Sequence, residues 1–221
     1  MYSVQFMLFD LDGTLIDSRA DLARSVNLML ADLGRPQLSE ATVASFVGDG
    51  VPTLTRRSLI ATSPTGEPPD AQLHQRAIKG LLAHYKNQMF ISTALYPRVK
   101  ETLAHFKEKR KAIVTSKESQ FVTPLLKHLG IAADFDCIVG GDSVSARKPD
   151  PAPVLEAVKL LGGTIEQSVM IGDSESDILA GRNARMLTCG VSIGFRTHEQ
   201  LKAYSPDILI ERFDQLTEVF F

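Results

Sequence analysis

Apolar residues fall into two kinds of pattern along this chain, and the change between them divides the sequence. Residues 4–9 form a short apolar run that stops at Asp10-Leu11-Asp12-Gly13, which predicts a buried strand ending in a turn. Four later runs read the same way, at 112–114, 137–139, 169–171 and 187–191, each separated from the next by a helical pattern. Strand alternating with helix predicts an α/β fold built on a Rossmann-like parallel sheet. Weaker signals predict an edge strand at 208–210 and a closing helix at 213–219.

Between residues 16 and 90 no strand pattern appears. Apolar residues recur instead at helical spacing, at Leu22, Val26, Met29, Leu30 and Leu33, and again at Leu73, Ala77, Leu81 and Tyr85. Gly34-Arg35-Pro36 ends the first of these helices, and the Pro- and Gly-rich stretch 63–69 is a loop between later ones. Because strands flank the block on both sides, 17–89 is predicted to be an all-helical domain inserted into a core formed by 1–16 and 90–221. Paired crossings of this kind permit hinge motion.

Charge narrows the class of partner. The chain carries 24 basic and 26 acidic side chains with no long one-sign block, for a net charge of −2, so nucleic acid and membrane surfaces are not expected partners. A small molecule is, with the chain a monomer or homodimer. The one dense basic segment, 107–111, reads as the solvated end of a helix. Cys137 and Cys189 have no metal-like or CxxC spacing and read as buried reduced thiols, and the five histidines are equally scattered. No leader pattern and no apolar stretch of about 18 residues is present, which predicts a cytoplasmic protein.

In an open parallel sheet, ligands bind beyond the carboxyl ends of the strands, so the polar residues that follow each apolar run should converge. These are Asp10, Asp12 and Thr14 after the first, Thr115 and Ser116 after the second, Lys148 in a later loop, and Asp173 after the fourth with Asp177 one helical turn on. Singly, each has a plain structural reading as a turn former, a helix cap or a loop lysine. Together they form a carboxylate cluster with a hydroxyl and a lysine.

Phe9-Asp10-Leu11-Asp12-Gly13-Thr14-Leu15 resembles the first motif of haloacid dehalogenase superfamily phosphatases, and Ile113-Val114-Thr115, Arg147-Lys148-Pro149-Asp150-Pro151 and Ile171-Gly172-Asp173-Ser174-Glu175-Ser176-Asp177 resemble the next three, in order. The likeness runs over essentially the whole chain and is strongest to phosphoglycolate phosphatase-like members, with Val47-Gly48-Asp49-Gly50, Arg57 and Leu95-Tyr96-Pro97 resembling their cap and its return to the core. Ser116, Arg98 and Arg185-Met186 depart from the pattern, the last pair standing where a small residue and then glycine are usual.

The resemblance implies a Mg²⁺-dependent phosphohydrolase acting on a small phosphorylated metabolite through an aspartyl phosphate, beneath a helical cap. It implies Asp10 as nucleophile and Asp12 as acid and base. Mg²⁺ would be held by Asp10, Asp173 and the Asp12 carbonyl, with Thr14 and Asp177 supporting the ligands. Thr115, Ser116, Lys148 and the backbone of Leu11 and Asp12 would hold the phosphoryl group, with Thr115 and Lys148 also serving catalysis, while Arg57, Gly48 and Gly50 would meet the leaving group. The chemistry needs such cations, since a carboxylate and a phosphate charge repel by about 4 kcal/mol at 4 Å and an effective dielectric near 20. Other outcomes compatible with the same motifs are a pyrophosphatase, a sugar phosphomutase, or an inactive binding module.

Overall fold

The computed structural model describes all residues, Met1–Phe221. Its strands in chain order are β1 (Phe6–Phe9), β2 (Ile16–Asp17), β3 (Ala94–Leu95), β4 (Arg110–Val114), β5 (Cys137–Val139), β6 (Ser168–Gly172), β7 (Leu187–Val191) and β8 (Ile208–Ile210). Six of them form one parallel sheet in the order β5-β4-β1-β6-β7-β8, and β2 pairs with β3 in a separate antiparallel ribbon. Met7, Leu8 and Phe9 have no solvent exposure at all. A strand covered on both faces has no polar side to alternate with, which is why the sequence there is a continuous apolar run.

The register Phe9↔Ile113 on one flank and Phe9↔Ile171 on the other brings the ends of β1, β4 and β6 level. From β1 the chain builds outward to β4 and β5, then returns to β1's other side at β6, so β1 lies at the point where the strand order reverses. Such a switch point leaves a crevice beyond the strand ends.

By compactness the chain divides into Met1–Asp17 with Ala94–Phe221, and Ser18–Thr93. The second unit is all helical, with α1 (Arg19–Asp32), α2 (Glu40–Phe46), α3 (Gly50–Ala61) and α4 (Ala71–Gln88). Ser39 and Asp70 cap α2 and α4 by accepting the backbone N–H groups of Thr42 and Leu73. Asp21, fully buried on α1, ties the beginning of this unit to its end. Its carboxylate accepts the N–H groups of Ser92 and Thr93, the Thr93 hydroxyl at 2.8 Å and the Arg24 guanidinium at 2.7 Å. Burial pushes the Asp21 carboxyl up, but these donors outweigh it and hold it below the usual carboxylate range.

In the first unit, helices α5 (Val99–His105), α6 (Ser119–Leu129), α7 (Ala152–Leu161) and α8 (Glu175–Asn183) connect the strands, and α9 (His198–Lys202) and α10 (Leu216–Val219) follow. Leu8, Val114, Val139, Val154, Val158, Leu161 and Met170 pack into one core cluster with Met186. The expected edge strand is present as β8, and the expected closing helix is a 3₁₀ turn, Phe213–Gln215, running into α10. No helix is long and apolar enough to cross a membrane.

Three sequence readings are corrected. The basic segment 107–111 is not wholly a solvated helix end, because Arg110 and Lys111 open β4 and Lys111 is only 3% exposed. Its ammonium donates to the carbonyls of Phe106 and Lys109, at 2.7 and 3.0 Å, so the lysine satisfies the chain end left by α5 from within the sheet. Cys137 is half-buried rather than buried. The position that calls for glycine is Arg185 and not Met186: Arg185 has φ 59° while Met186 is a core residue. Arg98, another departure, likewise adopts a left-handed φ of 68°, a conformation glycine takes without strain.

Asp21→Ala leaves buried N–H donors without an acceptor and should destabilise the helical unit by about 1.5 to 3 kcal/mol, read from urea unfolding. Because the folded Asp21 titrates below its ordinary range, this contribution is present in full above that range and fades as pH falls through it. An unchanged midpoint at neutral pH would show that Asp21 does not hold the ends of the unit.

Candidate active site

Asp10 follows β1 directly, and its N–H extends the ladder to the Ile171 carbonyl at 2.9 Å. The loop after it folds back on itself, with Leu15 and Ile16 donating to the Leu11 carbonyl and Gly13 donating to Ile16. This turn sets Thr14 beside Asp173, whose Oδ1 accepts the threonine hydroxyl at 3.1 Å. Gly13 has φ 90°, and a Cβ there would lie 2.2 Å from Asp173 Oδ2, so only glycine lets the loop come this near. Leu11 contributes its backbone N–H to the Asp10 carboxylate.

Lys148 enters the cluster from the loop before α7 and is 5% exposed. Its ammonium donates to the Val114 carbonyl at 2.8 Å and to Asp177 Oδ1 at 2.5 Å, and forms an ion pair with Asp10 Oδ1 at 3.0 Å; that oxygen accepts no hydrogen bond. The other oxygen of Asp177 accepts the N–H and hydroxyl of Ser174 and closes a capping box at the start of α8. Asp177 is thereby committed through both oxygens to protein donors. Thr115, at the end of β4, accepts the Lys117 N–H on its hydroxyl oxygen at 3.2 Å, which leaves its own proton to be given elsewhere. The Ser116 hydroxyl is buried without a protein partner.

Asp12 and Lys117 form a second ion pair, Oδ2 to Nζ 3.0 Å, with side chains 11% and 5% exposed. Four carboxylates (Asp10, Asp12, Asp173, Asp177) thus face two ammonium groups (Lys117, Lys148), leaving two negative charges in excess. The imbalance shows in the titration of the group. Burial lifts the Asp10 carboxyl to about 7, with the Asp177 and Asp12 charges adding to it against the pull of Lys148 and the Leu11 N–H. Asp173 is pushed well above the carboxylate range by burial and by the Asp10 and Asp177 charges. Burial alone would depress Lys148, but Asp10 and Asp177 hold it above the ordinary lysine range.

Oxygens of Asp10, Asp173 and Asp177 lie within 4.8 Å of one another, a spacing that could hold a metal ion. Asp10 Oδ1 accepts no hydrogen bond, Asp173 is held by neutral donors, the Thr14 hydroxyl and the Phe195 N–H, and Asp177 is tied to the Lys148 ammonium; an all-oxygen donor set of this kind suits a hard divalent cation. Of the remaining candidates, Gly48 (φ 130°), Gly50 (φ 81°) and Arg57 belong to the helical unit. Arg57 there pairs with Asp49 at 2.7 Å and donates to the Phe46 carbonyl at 3.0 Å, fastening the turn between α2 and α3.

Lys117 and the loop after β7 escaped the sequence reading. The Phe195 N–H donates to Asp173 Oδ2 at 2.8 Å, and a Cβ on Gly194 would fall 2.1 Å from the Gly13 carbonyl and 2.3 Å from Asp173 Oδ2. The rule that found the other loops, polar or small residues beyond a strand end, also reaches Ser192 to Arg196. Arg196 makes a two-point ion pair with Glu175 and fixes this loop to α8.

A hydrolase is the class these features define: a cluster of carboxylates and ammonium groups gathered at the switch point of a parallel sheet. The family model for haloacid dehalogenase-like hydrolases matches residues 7–191, and the chain belongs to that family. It is 38% identical to a phosphoglycolate phosphatase of Colwellia psychrerythraea over 96% of this chain and 95% of the relative. It is 36% identical to one of Neisseria meningitidis over 97% and 93%. A crystal structure of a predicted phosphoglycolate phosphatase from Haemophilus somnus superposes with a TM-score of 0.92 at 30% identity, covering 99% of each chain.

Gly194→Ala should force the loop after β7 away from Asp173 and cost about 1 to 3 kcal/mol of stability, as overpacking does in a filled interior. Chemical unfolding measures the loss. A variant as stable as the parent would mean the loop yields freely and does not brace Asp173.

Proposed function

We propose that the protein is a Mg²⁺-dependent phosphatase that hydrolyses a small phosphomonoester, 2-phosphoglycolate in the first instance, through an aspartyl phosphate on Asp10. The observation that carries this reading is the pairing of two adjacent aspartates with different partners. Asp10 pairs with buried Lys148 and shares the metal-like group with Asp173, whereas Asp12 lies outside that group and pairs with Lys117. One carboxylate is suited to covalent attack and the other to proton transfer. The substrate class rests on the relatives and on the near-complete coverage of both chains.

In this mechanism an Asp10 oxygen bonds to phosphorus as the bond from phosphorus to the leaving oxygen breaks, and Asp12 gives that oxygen its proton. The alcohol departs. Asp12 then takes a proton from water, the water oxygen bonds to phosphorus, and the bond to Asp10 breaks to release phosphate and restore both carboxyls. The Thr115 proton, the Ser116 hydroxyl and the backbone of Leu11 and Asp12 supply donors for the phosphoryl oxygens, where charge grows in the transition state. Lys148 acts from behind, its ammonium tied to the Val114 carbonyl and Asp177, and its charge 3.0 Å from Asp10 Oδ1 favours the ionised nucleophile. Mg²⁺ held by Asp10 and Asp173, with the Asp12 carbonyl, would neutralise the excess negative charge and polarise the phosphoryl group. The raised titration of Asp10 and Asp173 fits this role, since without a cation the two cannot both ionise readily.

Two experiments bear on the reading. Asp10→Asn should reduce 2-phosphoglycolate turnover at least a thousandfold while leaving the circular dichroism spectrum unchanged; activity above a few per cent would exclude the covalent route. Metal-free protein should lose stability as pH rises from the ordinary carboxylate range through about 7, because the unfolded chain gives up protons that folded Asp10 and Asp173 retain. Mg²⁺ competes with those protons, so its increment in Tm should be larger at pH 8 than at pH 5.5. Equal increments would place the ion elsewhere.

A further inference from the structure

Lys117 is a buried cation that neither the nucleophile nor the candidate metal group accounts for. Its ammonium meets Asp12 Oδ2 at 3.0 Å with both side chains largely closed off from water. The backbone that carries it is pinned on both sides: its N–H donates to the Thr115 hydroxyl at 3.2 Å, and its carbonyl accepts the Gly141 N–H at 2.8 Å. A Cβ on Gly141 would lie 2.3 Å from the Ser116 carbonyl, so the strand end and the 140–141 turn are packed against each other with no slack. A long, flexible side chain loses rotamer freedom when its ammonium is held, and here the backbone is fixed at its base and the ammonium lies on the Asp12 carboxylate.

From this geometry we propose that Lys117 is a positioning residue for Asp12, orienting the carboxyl group that exchanges a proton with the leaving oxygen. The proposal rests on the phosphatase reading and adds to it a residue that acts through Asp12 rather than on phosphorus. It parallels Lys148 and Asp10: each of the two working aspartates has its own ammonium. Misplacement of a reacting group by about 1 Å can cost two orders of magnitude in rate, so loss of the orienting cation should be felt in the two steps in which Asp12 moves a proton, of which protonation of the leaving oxygen comes first.

Leaving-group chemistry separates that step from the rest. An alkoxide must be protonated as it departs, whereas p-nitrophenolate leaves as a stable anion and has little need of the acid. Since kcat/KM reports events up to the first irreversible step, phosphoryl transfer to Asp10, the later water step does not enter. The test compares the full-length protein with Lys117→Met and Lys117→Arg on ethyl phosphate, 2-phosphoglycolate and p-nitrophenyl phosphate, each with Mg²⁺. For Lys117→Met, kcat/KM should fall roughly 10- to 100-fold on both alkyl phosphates and less than about threefold on the aryl ester. Lys117→Arg, which keeps the cation on a different frame, should shift the alkyl-to-aryl ratio in the same direction by less, and it supplies the reading if the Met variant does not fold. In an Asp12→Asn background Lys117→Met should add less than about twofold on the alkyl esters, because its route is already removed.

Equal losses on all three substrates would reduce Lys117 to a structural lysine and overturn the proposal. A loss confined to 2-phosphoglycolate would overturn it differently, by showing that the ammonium binds the substrate's own carboxylate. No turnover of any ester by the parent protein would refute the phosphatase reading, and the proposal with it.

Discussion

Lys148 is the residue on which the arrangement at the sheet's switch point depends. Its ammonium joins the carbonyl at the end of β4, the aspartate at the end of β1 and an aspartate on α8, so three segments far apart in sequence take their spacing from one buried cation. Burying an ammonium is costly unless it is paired and hydrogen-bonded, and here it donates to the Val114 carbonyl and Asp177 and forms an ion pair with Asp10. The same cost explains why Asp177 is as firmly held as it is: its second oxygen caps α8, which leaves it no freedom to leave Lys148. Removing any one partner would strand the others without compensation in a water-poor interior.

This cation does not balance the site. Two carboxylate charges remain beyond what Lys117 and Lys148 neutralise, and the protein tolerates them by letting Asp10 and Asp173 hold protons well above the carboxylate range. A folded state that keeps protons its unfolded chain would release is less stable at neutral pH than its packing alone would make it. The surrounding scaffold absorbs that deficit with a sheet buried on both faces. Strain is placed at a distance from the cluster as well as in it: Arg98 and Arg185 take left-handed backbone where glycine would be easier, whereas Gly13 and Gly194, beside Asp173, keep the only residue that fits.

Much of the fold was legible because the sheet is covered on both sides. Strands so placed read as apolar blocks, and the blocks at 137–139 and 187–191 coincide with β5 and β7. The edge strand at 208–210 gave a weaker signal, being three residues long and only partly buried. Lys111 was not, since a charged residue in a basic run has no apolar signature and only the carbonyls left by α5 make its burial possible. Arg185 was misread by one position because the sequence shows which residue is unusual, while only φ shows which backbone is. At the site, Asp10, Thr14, Lys148, Asp173 and Asp177 are drawn into one contact network, and the rule of polar residues beyond strand ends pointed to them. The rule stops at side chains. The Phe195 N–H on Asp173 is a backbone donor, and a phenylalanine gives no sign of it.

The two ion pairs divide the work between neighbouring loops in a way that the sheet order makes possible. Asp10 and Asp12 leave β1 on a single short turn, so any force on one carboxylate would be passed to the other unless each were separately held. Lys148 comes to Asp10 from the segment preceding α7, and Lys117 comes to Asp12 from the segment following β4. The two cations therefore arrive from different crossovers, and the turn between the aspartates is braced by its own hydrogen bonds to Leu11 and Ile16. A nucleophile must be ionised and still, whereas a group that gives and regains a proton needs a fixed direction in both of its charge states. In the proposed mechanism, separate counterions on separate loops hold each of the adjacent aspartates from its own side, so that neither depends on the other's lysine for its position.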